Sequence, residues 1–373
     1  MTRTAHFSST IDELGVAFAA RAAELDETDQ FVAQNFQDLR EAKAFSAMVP
    51  AELGGAGVSH AEMCDLIRRL AAFCGSTALA FSMHQHLVAA SVWNFKRERP
   101  GEKLLRKVAE SEAILASTGA TDWLSSTGML TQCEGGFRFS GKKTFVSGAP
   151  AAHIFITSAQ YDDPEHGLQV LHFPLPAAAD GVRIEEVWKT MGMRATGSHD
   201  MIAENVFIPE ESVALRRPCG VYHPVWNIVF GVALPLICAA YVGVAEAAAC
   251  LAIENAKKRG DDGLSSLLIG EMQNELTTAQ IALESMVAIA DNFSFEATLE
   301  VANAIQMRKA IVMTAALATA EKALEATGGS GYFRMKGLER LLRDAHAGQF
   351  HPLQPKKQHR FSGRIAMGLE PVG

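Results

Sequence analysis

Apolar positions recur at intervals of three and four through TIDELGVAFAARAAELDE and again through FVAQNFQDLREAKAF, the spacing that lines one face of a helix. The stretch VPAELGGAGVS interrupts the pattern with one proline and three glycines. Ser59 then opens a further helix, and Glu62, three residues on, completes a capping box. Helical spacing continues through HAEMCDLIRRLAAFCGSTALAFSMHQHLVAASVW. From about residue 113 to 220 the period changes to two. Short strands are predicted in EAILASTGA, MLTQC, GFRFSG, KTFVSG, HIFITSA, LQVLHFPL, VRIEEVW and AENVFIP. Glu134-Gly135-Gly136 and Asp180-Gly181 supply turns between them. Strands this short and regular predict a compact β-barrel or sandwich. Helical spacing returns near residue 221 in four long segments, broken near Gly260–Gly263, Asn292–Phe295 and Gly328–Gly331.

The predicted architecture is therefore mostly α with a central β-domain. An N-terminal helical domain spans 1–112, a β-domain 113–220 and a C-terminal four-helix bundle 221–373. Ile228 to Ala245 carries no charge and could pass for a membrane span. Gly231, Pro235 and Gly243 interrupt it and it is apolar all round, so it is read as the buried central helix of the bundle. The opening MTRTAHFSSTIDELG lacks the apolar core of a secretory signal, and a cytoplasmic protein without a membrane partner is expected.

Composition narrows the classes. Of 373 residues, 48 % are hydrophobic and 20 % charged, enough apolar material for a sizeable core. The net charge of −8 argues against nucleic acid as a partner. Six cysteines include no C-x-x-C pair, which argues against zinc or a disulfide framework. His84 and His86 sit two apart on a helix and point away from each other, so no metal site is expected there. No G-x-S-x-G elbow accompanies the serines and histidines. Lys356-Lys357-Gln358-His359-Arg360 reads as a solvated basic run, and the methionines at helical spacing as core filler.

Three motifs carry more information. Pro50-Ala51-Glu52-Leu53-Gly54-Gly55-Ala56-Gly57 is a Gly-rich loop between helices. Gly192-Met193-Arg194-Ala195-Thr196-Gly197-Ser198 is followed by Glu204-Asn205-Val206-Phe207-Ile208-Pro209. Gly328-Gly329-Ser330-Gly331-Tyr332 is followed by Leu338-Glu339-Arg340 and Arg343-Asp344-Ala345. Together with the helix–β–helix order, these resemble the acyl-CoA dehydrogenase family of flavoproteins over nearly the whole chain.

The resemblance implies a flavin, FAD or alternatively FMN, and residues to hold it. A flavin needs donors at its polar edge and a flat apolar wall against its ring. Ala116-Ser117-Thr118, continuing to Ser125-Ser126, sits where the family has its A-x-T-E-P-x-x-G-S-D loop. Thr118 would bond the flavin, and Ser125 or Ser126 would line the ligand entrance. Here Gly119-Ala120 replaces the E-P pair, the spacing is one residue longer and Trp123 intrudes. Thr144-Phe145-Val146-Ser147-Gly148 occupies the family's W-I-T-N strand, so Phe145 would stack on the flavin and Ser147 bond near its reactive nitrogen. Gly328, Gly329 and Gly331 would approach the pyrophosphate of a neighbouring subunit's cofactor, and Arg259 carries over as a phosphate partner. Two departures lie on this side: Glu325 replaces a glutamine, and Gly260-Asp261-Asp262-Gly263 replaces a Q-F-G segment. Because the cofactor site spans subunits, the resemblance implies a homodimer or a homotetramer.

The same resemblance raises a difficulty. Acyl-CoA dehydrogenation needs a carboxylate to remove the α-proton, supplied from one of two family positions. Here these fall on Pro352 and Ala233, with Leu234 where an arginine often stands. His351 is the nearest titratable group, and a monooxygenase-like branch of the fold carries a histidine in this segment. Three functions are therefore open. One is acyl-CoA dehydrogenation, with an electron-transfer partner. The second is two-component flavin monooxygenation of a small apolar or aromatic substrate, with a flavin-reductase partner and His351 as the catalytic group. The third is a flavin- or acyl-binding relative without turnover. The helix Phe81–Ala90 and the region Val225–Leu236 would shape the substrate pocket.

Overall fold

The computed structural model describes residues 3–260 and 263–372, without the side chains of residues 3–6 and 8. Asp261 and Asp262 of the segment replacing Q-F-G lie outside the described residues. The N-terminal part is helical: α1 (Arg3–Thr28), α2 (Ala33–Glu41), α3 (His60–Phe73), α4 (Gly75–Phe95) and α5 (Glu102–Ser111). The capping box forms. Ser59 Oγ accepts the Glu62 N–H at 3.2 Å while the Glu62 carboxylate accepts the Ser59 N–H at 2.8 Å, satisfying two donors the first turn of α3 leaves free.

The strands are β1 (Leu115–Ser117), β2 (Met129–Cys133), β3 (Gly136–Val146), β4 (Ile154–Asp163), β5 (Gly167–Pro176), β6 (Val182–Glu185), β7 (His199–Pro209) and β8 (Leu215–Pro218). They form one sheet in the order β6-β7-β3-β2-β4-β5-β8, with β1 added parallel to β4. The path ends at β6 and β8, and Phe139 of β3 meets Phe173 of β5 at 5.3 Å although β2 and β4 lie between those strands, so the sheet folds over on itself. It has its own apolar core, built from Phe137, Phe139, Phe155, Phe173 and Met201. The two predicted strands GFRFSG and KTFVSG are one, β3. Gly141 lets β3 pass close to Gly128, whose Cα would lie 2.6 Å from a Cβ at that position. Near its end β3 slips register against β7, between Lys143↔Met201 and Val146↔His199. That bulge turns Phe145 out of the sheet with φ +59°.

The C-terminal part has three long helices, α6 (Val225–Arg259), α7 (Leu264–Ala290) and α8 (Leu299–Thr327). The predicted fourth is two short helices, α9 (Leu338–His346) and α10 (Pro355–Ala366). Pro352 and Pro355 separate them, since proline cannot continue a helix begun before it. The uncharged stretch lies in α6, packed among α3, α4, α7 and α8. At Gly243 the helices approach so closely that a Cβ would sit 2.0 Å from the Arg68 carbonyl oxygen of α3.

Two sequence motifs meet where the β-domain docks on the bundle. The Met193 N–H donates to Asp344 Oδ1, and Arg343 Nη1 donates to the Met191 carbonyl at 2.8 Å. A Cβ on Gly192 would sit 2.1 Å from the Arg343 carbonyl oxygen, so only glycine fits there. Arg343 also pairs with Asp26 of α1 and Glu339 of α9, tying all three parts of the chain at one side chain.

Candidate active site

A cavity of about 630 Å³ lies where the sheet, α4, α6 and the α9–α10 connection converge. Its walls differ in character. The helical wall is apolar, formed by Met83 and Leu87 of α4 and by Val229, Phe230, Ala233 and Ile237 of α6. The β wall is rich in hydroxyls. Thr118 Oγ1 donates to Thr157 Oγ1 at 2.8 Å. Ser147 Oγ and Ser198 Oγ are 2.7 Å apart, Ser198 Oγ and Thr196 Oγ1 are 2.7 Å apart, and Thr196 donates to the Met193 carbonyl at 2.9 Å. This chain of hydroxyls ends at the motif segment that Asp344 holds.

Phe145 stands at the edge of the β wall, 52 % exposed, its ring edge-on to Trp188 at 5.9 Å between centroids. An aromatic residue with positive φ costs roughly 1–2 kcal/mol, so the surrounding bulge must enforce it. Such enforced backbone strain clusters at ligand sites.

The loop that begins at Thr118 is anchored by a buried ion pair. Lys143 Nζ donates to Asp122 Oδ2 at 2.5 Å, to Ser126 Oγ at 2.9 Å and to the Thr127 carbonyl at 2.6 Å. Burial pulls the Lys143 amine downward and the Asp122 carboxylate opposes the shift. Ser126 is therefore committed to structure, and Ser125 is exposed and outside the cavity lining, so neither hydroxyl faces the cavity as an entrance residue. Trp123 of the same loop faces the cavity instead. It stacks on Phe230 at 5.7 Å and touches the rings of Trp226, Tyr222 and Phe361.

The third wall is the segment 346–354. His351 Nε2 lies 2.7 Å from Tyr241 Oη, and both line the cavity. Lys309 of α8 donates its Nζ to the carbonyls of His351 and Leu353, at 3.0 and 2.8 Å, which fixes the segment. Burial, together with the Lys309 charge and His86, pushes His351 down to about 3, so its ring is neutral at physiological pH. Burial likewise pushes Lys309 down to about 8. His86 also lines the cavity, and its Nδ1 is buried without a partner. His84 is different. Its Nδ1 accepts the Leu115 N–H at 2.9 Å, so its Nε2–H must donate to the Phe45 carbonyl at 2.8 Å, and both ring nitrogens are spent on structure.

The two positions that carry the family's carboxylate, Ala233 and Pro352, both open onto the cavity, as does Leu234. Asp122 is the single acidic side chain among the described lining residues, and it is bound to Lys143. No group of three or more potential metal ligands occurs among the described residues.

Four of the residues expected from sequence, Thr118, Phe145, Ser147 and His351, converge on this cavity. The others do not. Arg259 donates to the carbonyls of Ala326 and Thr327 and to Ser265 Oγ, completing the C-terminus of α8. Gly328, Gly329 and Gly331 form a 3₁₀ turn directly after it, outside the cavity lining. Glu325 pairs with Lys322 at the surface. The sequence pointed to no role for Tyr241, Lys309 or the Lys143–Asp122 pair, whereas His86 lies on the helix expected to shape the pocket.

Models of the acyl-CoA dehydrogenase N-terminal, middle and C-terminal domains match residues 11–112, 117–206 and 235–354. The chain belongs to the acyl-CoA dehydrogenase family. It is 28 % identical to the putative acyl-CoA dehydrogenase YdbM of Bacillus subtilis, over 92 % of this chain and 91 % of that protein. It is 30 % identical to the amino sugar nitrososynthase RubN8 of Streptomyces rubradiris, over 90 % of this chain and 82 % of that protein. Among solved structures, KijD3 in complex with FMN and dTDP-3-amino-2,3,6-trideoxy-4-keto-3-methyl-D-glucose superposes with a TM-score of 0.90. Identity is 25 %, covering 99 % of this chain and 95 % of that one.

Proposed function

We propose that this protein is a flavin-dependent monooxygenase that adds one oxygen atom to a small, ring-sized organic substrate, using reduced flavin delivered by a separate reductase. The observation that carries the reading is the absence of a free carboxylate among the described cavity residues. Removing an α-proton beside a thioester requires a positioned base. Ala233 and Pro352 have no titratable group, and Asp122 is neutralised by Lys143. The likeness to RubN8 supports the reading, because converting an amine to a nitroso group requires oxygen to be added.

The residues suit a flavin. Hydroxyls of Thr118 and Ser147 meet its polar edge, Phe145 offers a flat face, and the helical wall is apolar. The FMN in the KijD3 complex supports FMN beside the FAD expected from the family. In its reduced form the flavin supplies two electrons and two protons, so that one atom of O₂ enters the substrate and the other leaves as water. His351 holds or passes a proton at the Nε2 it shares with Tyr241. Lys309 positions that ring through the backbone, and the apolar wall excludes water. Gly328, Gly329 and Gly331 serve the cofactor of a second copy in a homodimer or homotetramer, and Arg259 supports their turn through the Ala326 and Thr327 carbonyls.

The test supplies reduced flavin from a reductase and follows a panel of small aromatic substrates under ¹⁸O₂. A product with one labelled oxygen is expected. Oxidised product without label, formed equally well without O₂, would overturn the reading.

A further inference from the structure

One end of the cavity carries hydrogen-bond donors and a positive charge with nothing to receive them. His172 of β5 lines the cavity there. Arg217, on the adjacent strand β8, donates its Nε–H to His172 Nε2 at 3.0 Å. A guanidinium offers donors and no acceptors, so Nε2 must be the bare nitrogen, and the neutral ring carries its proton on Nδ1. Burial and the Arg217 charge push His172 down to about 3, which keeps a second proton off the ring. His172 is therefore locked as a donor, and its Nδ1–H has no partner among the described residues.

Arg217 itself is fully buried and has no carboxylate partner among the described residues. Its Nη1 donates to the Leu124 carbonyl at 2.6 Å, while Nη2 is buried without a partner. The guanidinium lies 5.4 Å from the ring of Trp226, which also lines the cavity and whose Nε1 is buried without a partner. Asp122 acts on Arg217 from a distance, but its oxygens are taken by Lys143, Ser126 and the Thr127 N–H. A buried charge and buried donors left unpaired are unfavourable, so an acceptor is missing from this end. Flat aromatic surface surrounds the same place: Trp123, Trp226 and Phe230 line it, with Tyr222 and Phe361 behind.

We infer that the chamber takes an aromatic substrate bearing an anionic oxygen, which meets His172 Nδ1–H and Trp226 Nε1–H with Arg217 behind them. In this arrangement Arg217 is a positioning residue. It sets the tautomer of His172 and supplies the charge without reaching the reacting atoms. The anion is held at the end built from β5, β8 and the start of α6, and the ring projects toward Phe145 and His351. The inference rests on the cavity being the substrate chamber of the proposed monooxygenase. Its test reads binding alone, so failure here and failure of oxygenation are distinguishable.

The experiment titrates benzoate, benzyl alcohol and benzylamine into the flavin-loaded protein by calorimetry. Benzoate is expected to bind about tenfold or more tightly than benzyl alcohol, and benzylamine more weakly still. His172→Gln, which keeps an N–H donor, should retain most of the preference. His172→Phe and Arg217→Met should reduce it to about twofold or less. If Arg217→Met fails to fold, the two His172 variants decide, because their side chains lie at the cavity wall. A chemical readout accompanies binding: the ¹⁵N signature of the His172 ring should report Nδ1–H in the wild type and a tautomer mixture in Arg217→Met. Equal or tighter binding of benzyl alcohol or benzylamine overturns the inference. So does a benzoate preference that survives in folded His172→Phe, or no benzoate binding at millimolar concentration.

Discussion

Tyr241 Oη and His351 Nε2 stand 2.7 Å apart on the wall of the cavity, one from the buried centre of α6 and the other from the segment between α9 and α10. The pair links the buried central helix of the bundle to the segment that Lys309 fixes by its carbonyls. Neither group is charged at neutral pH: burial holds the His351 ring at about 3 and raises the Tyr241 hydroxyl far above its ordinary value.

Replacing His351 by alanine should lower the oxygenation turnover by about 10²–10⁴-fold, the usual worth of a positioned proton-transfer group. Flavin content should stay normal, since the cofactor hydroxyls lie on the β wall. Tyr241→Phe removes only the phenolic partner and should cost about tenfold. Unchanged turnover in a flavin-replete His351→Ala protein would reduce the histidine to a structural bond.

Phe145 separates ligand binding from stability. Its φ of +59° is unfavourable for any residue but glycine. Phe145→Gly should therefore stabilise the flavin-free protein by about 1 kcal/mol relative to Phe145→Ala. Both variants should bind flavin more weakly than the wild type. Denaturant midpoints without flavin, and fluorescence quenching on flavin addition, check the two halves separately.

The docking bond of Asp344 predicts a pH signature. Burial pushes this carboxyl up to about 6, partly offset by the Met193 N–H. A raised folded value means that its contribution is complete below the unfolded value of 3.8 and is lost as pH rises through about 6. Asp344→Asn keeps the acceptor without the charge. Its stability relative to wild type should rise by up to about 3 kcal/mol between pH 4 and pH 8. Parallel pH profiles of the two proteins would show that the carboxyl is not perturbed as described.

Lys143 and Asp122 anchor the loop after Thr118 in a fully buried pair. Lys143→Met leaves the carboxylate unpaired and should destabilise the protein by about 3–5 kcal/mol. Adding Asp122→Asn should recover most of this loss, because the cost lies in the orphaned charge. A double variant as unstable as the single one would contradict that explanation.

Much of the architecture was legible because it follows from periodicity. The helix–β–helix order, the Ser59–Glu62 cap and the burial of the uncharged α6 stretch each follow from local spacing. The fourth bundle helix was misread because Pro352 and Pro355 break a segment whose apolar spacing otherwise continues. Within the site, Phe145 and Ser147 were legible through their strand pattern, whereas Ser125 was not correctly read. Trp123 of that loop faces the cavity instead, and spacing alone does not reveal which side chain does. Tyr241, Lys309, His172 and Arg217 were invisible for a different reason. Each gains its role from a partner 42 to 110 residues away in the chain, or from burial, and neither leaves a local signature.

The proposed function sets oxygenation against dehydrogenation in this cavity. The most direct measurement adds a series of acyl-CoA thioesters, short to long, to the protein with oxidised flavin under strict anaerobiosis and follows the flavin's visible absorption. With no free carboxylate at Ala233, Pro352 or Asp122, the oxidised spectrum should persist throughout. Bleaching of the flavin by any thioester at a catalytic rate would contradict the account and return the protein to dehydrogenation.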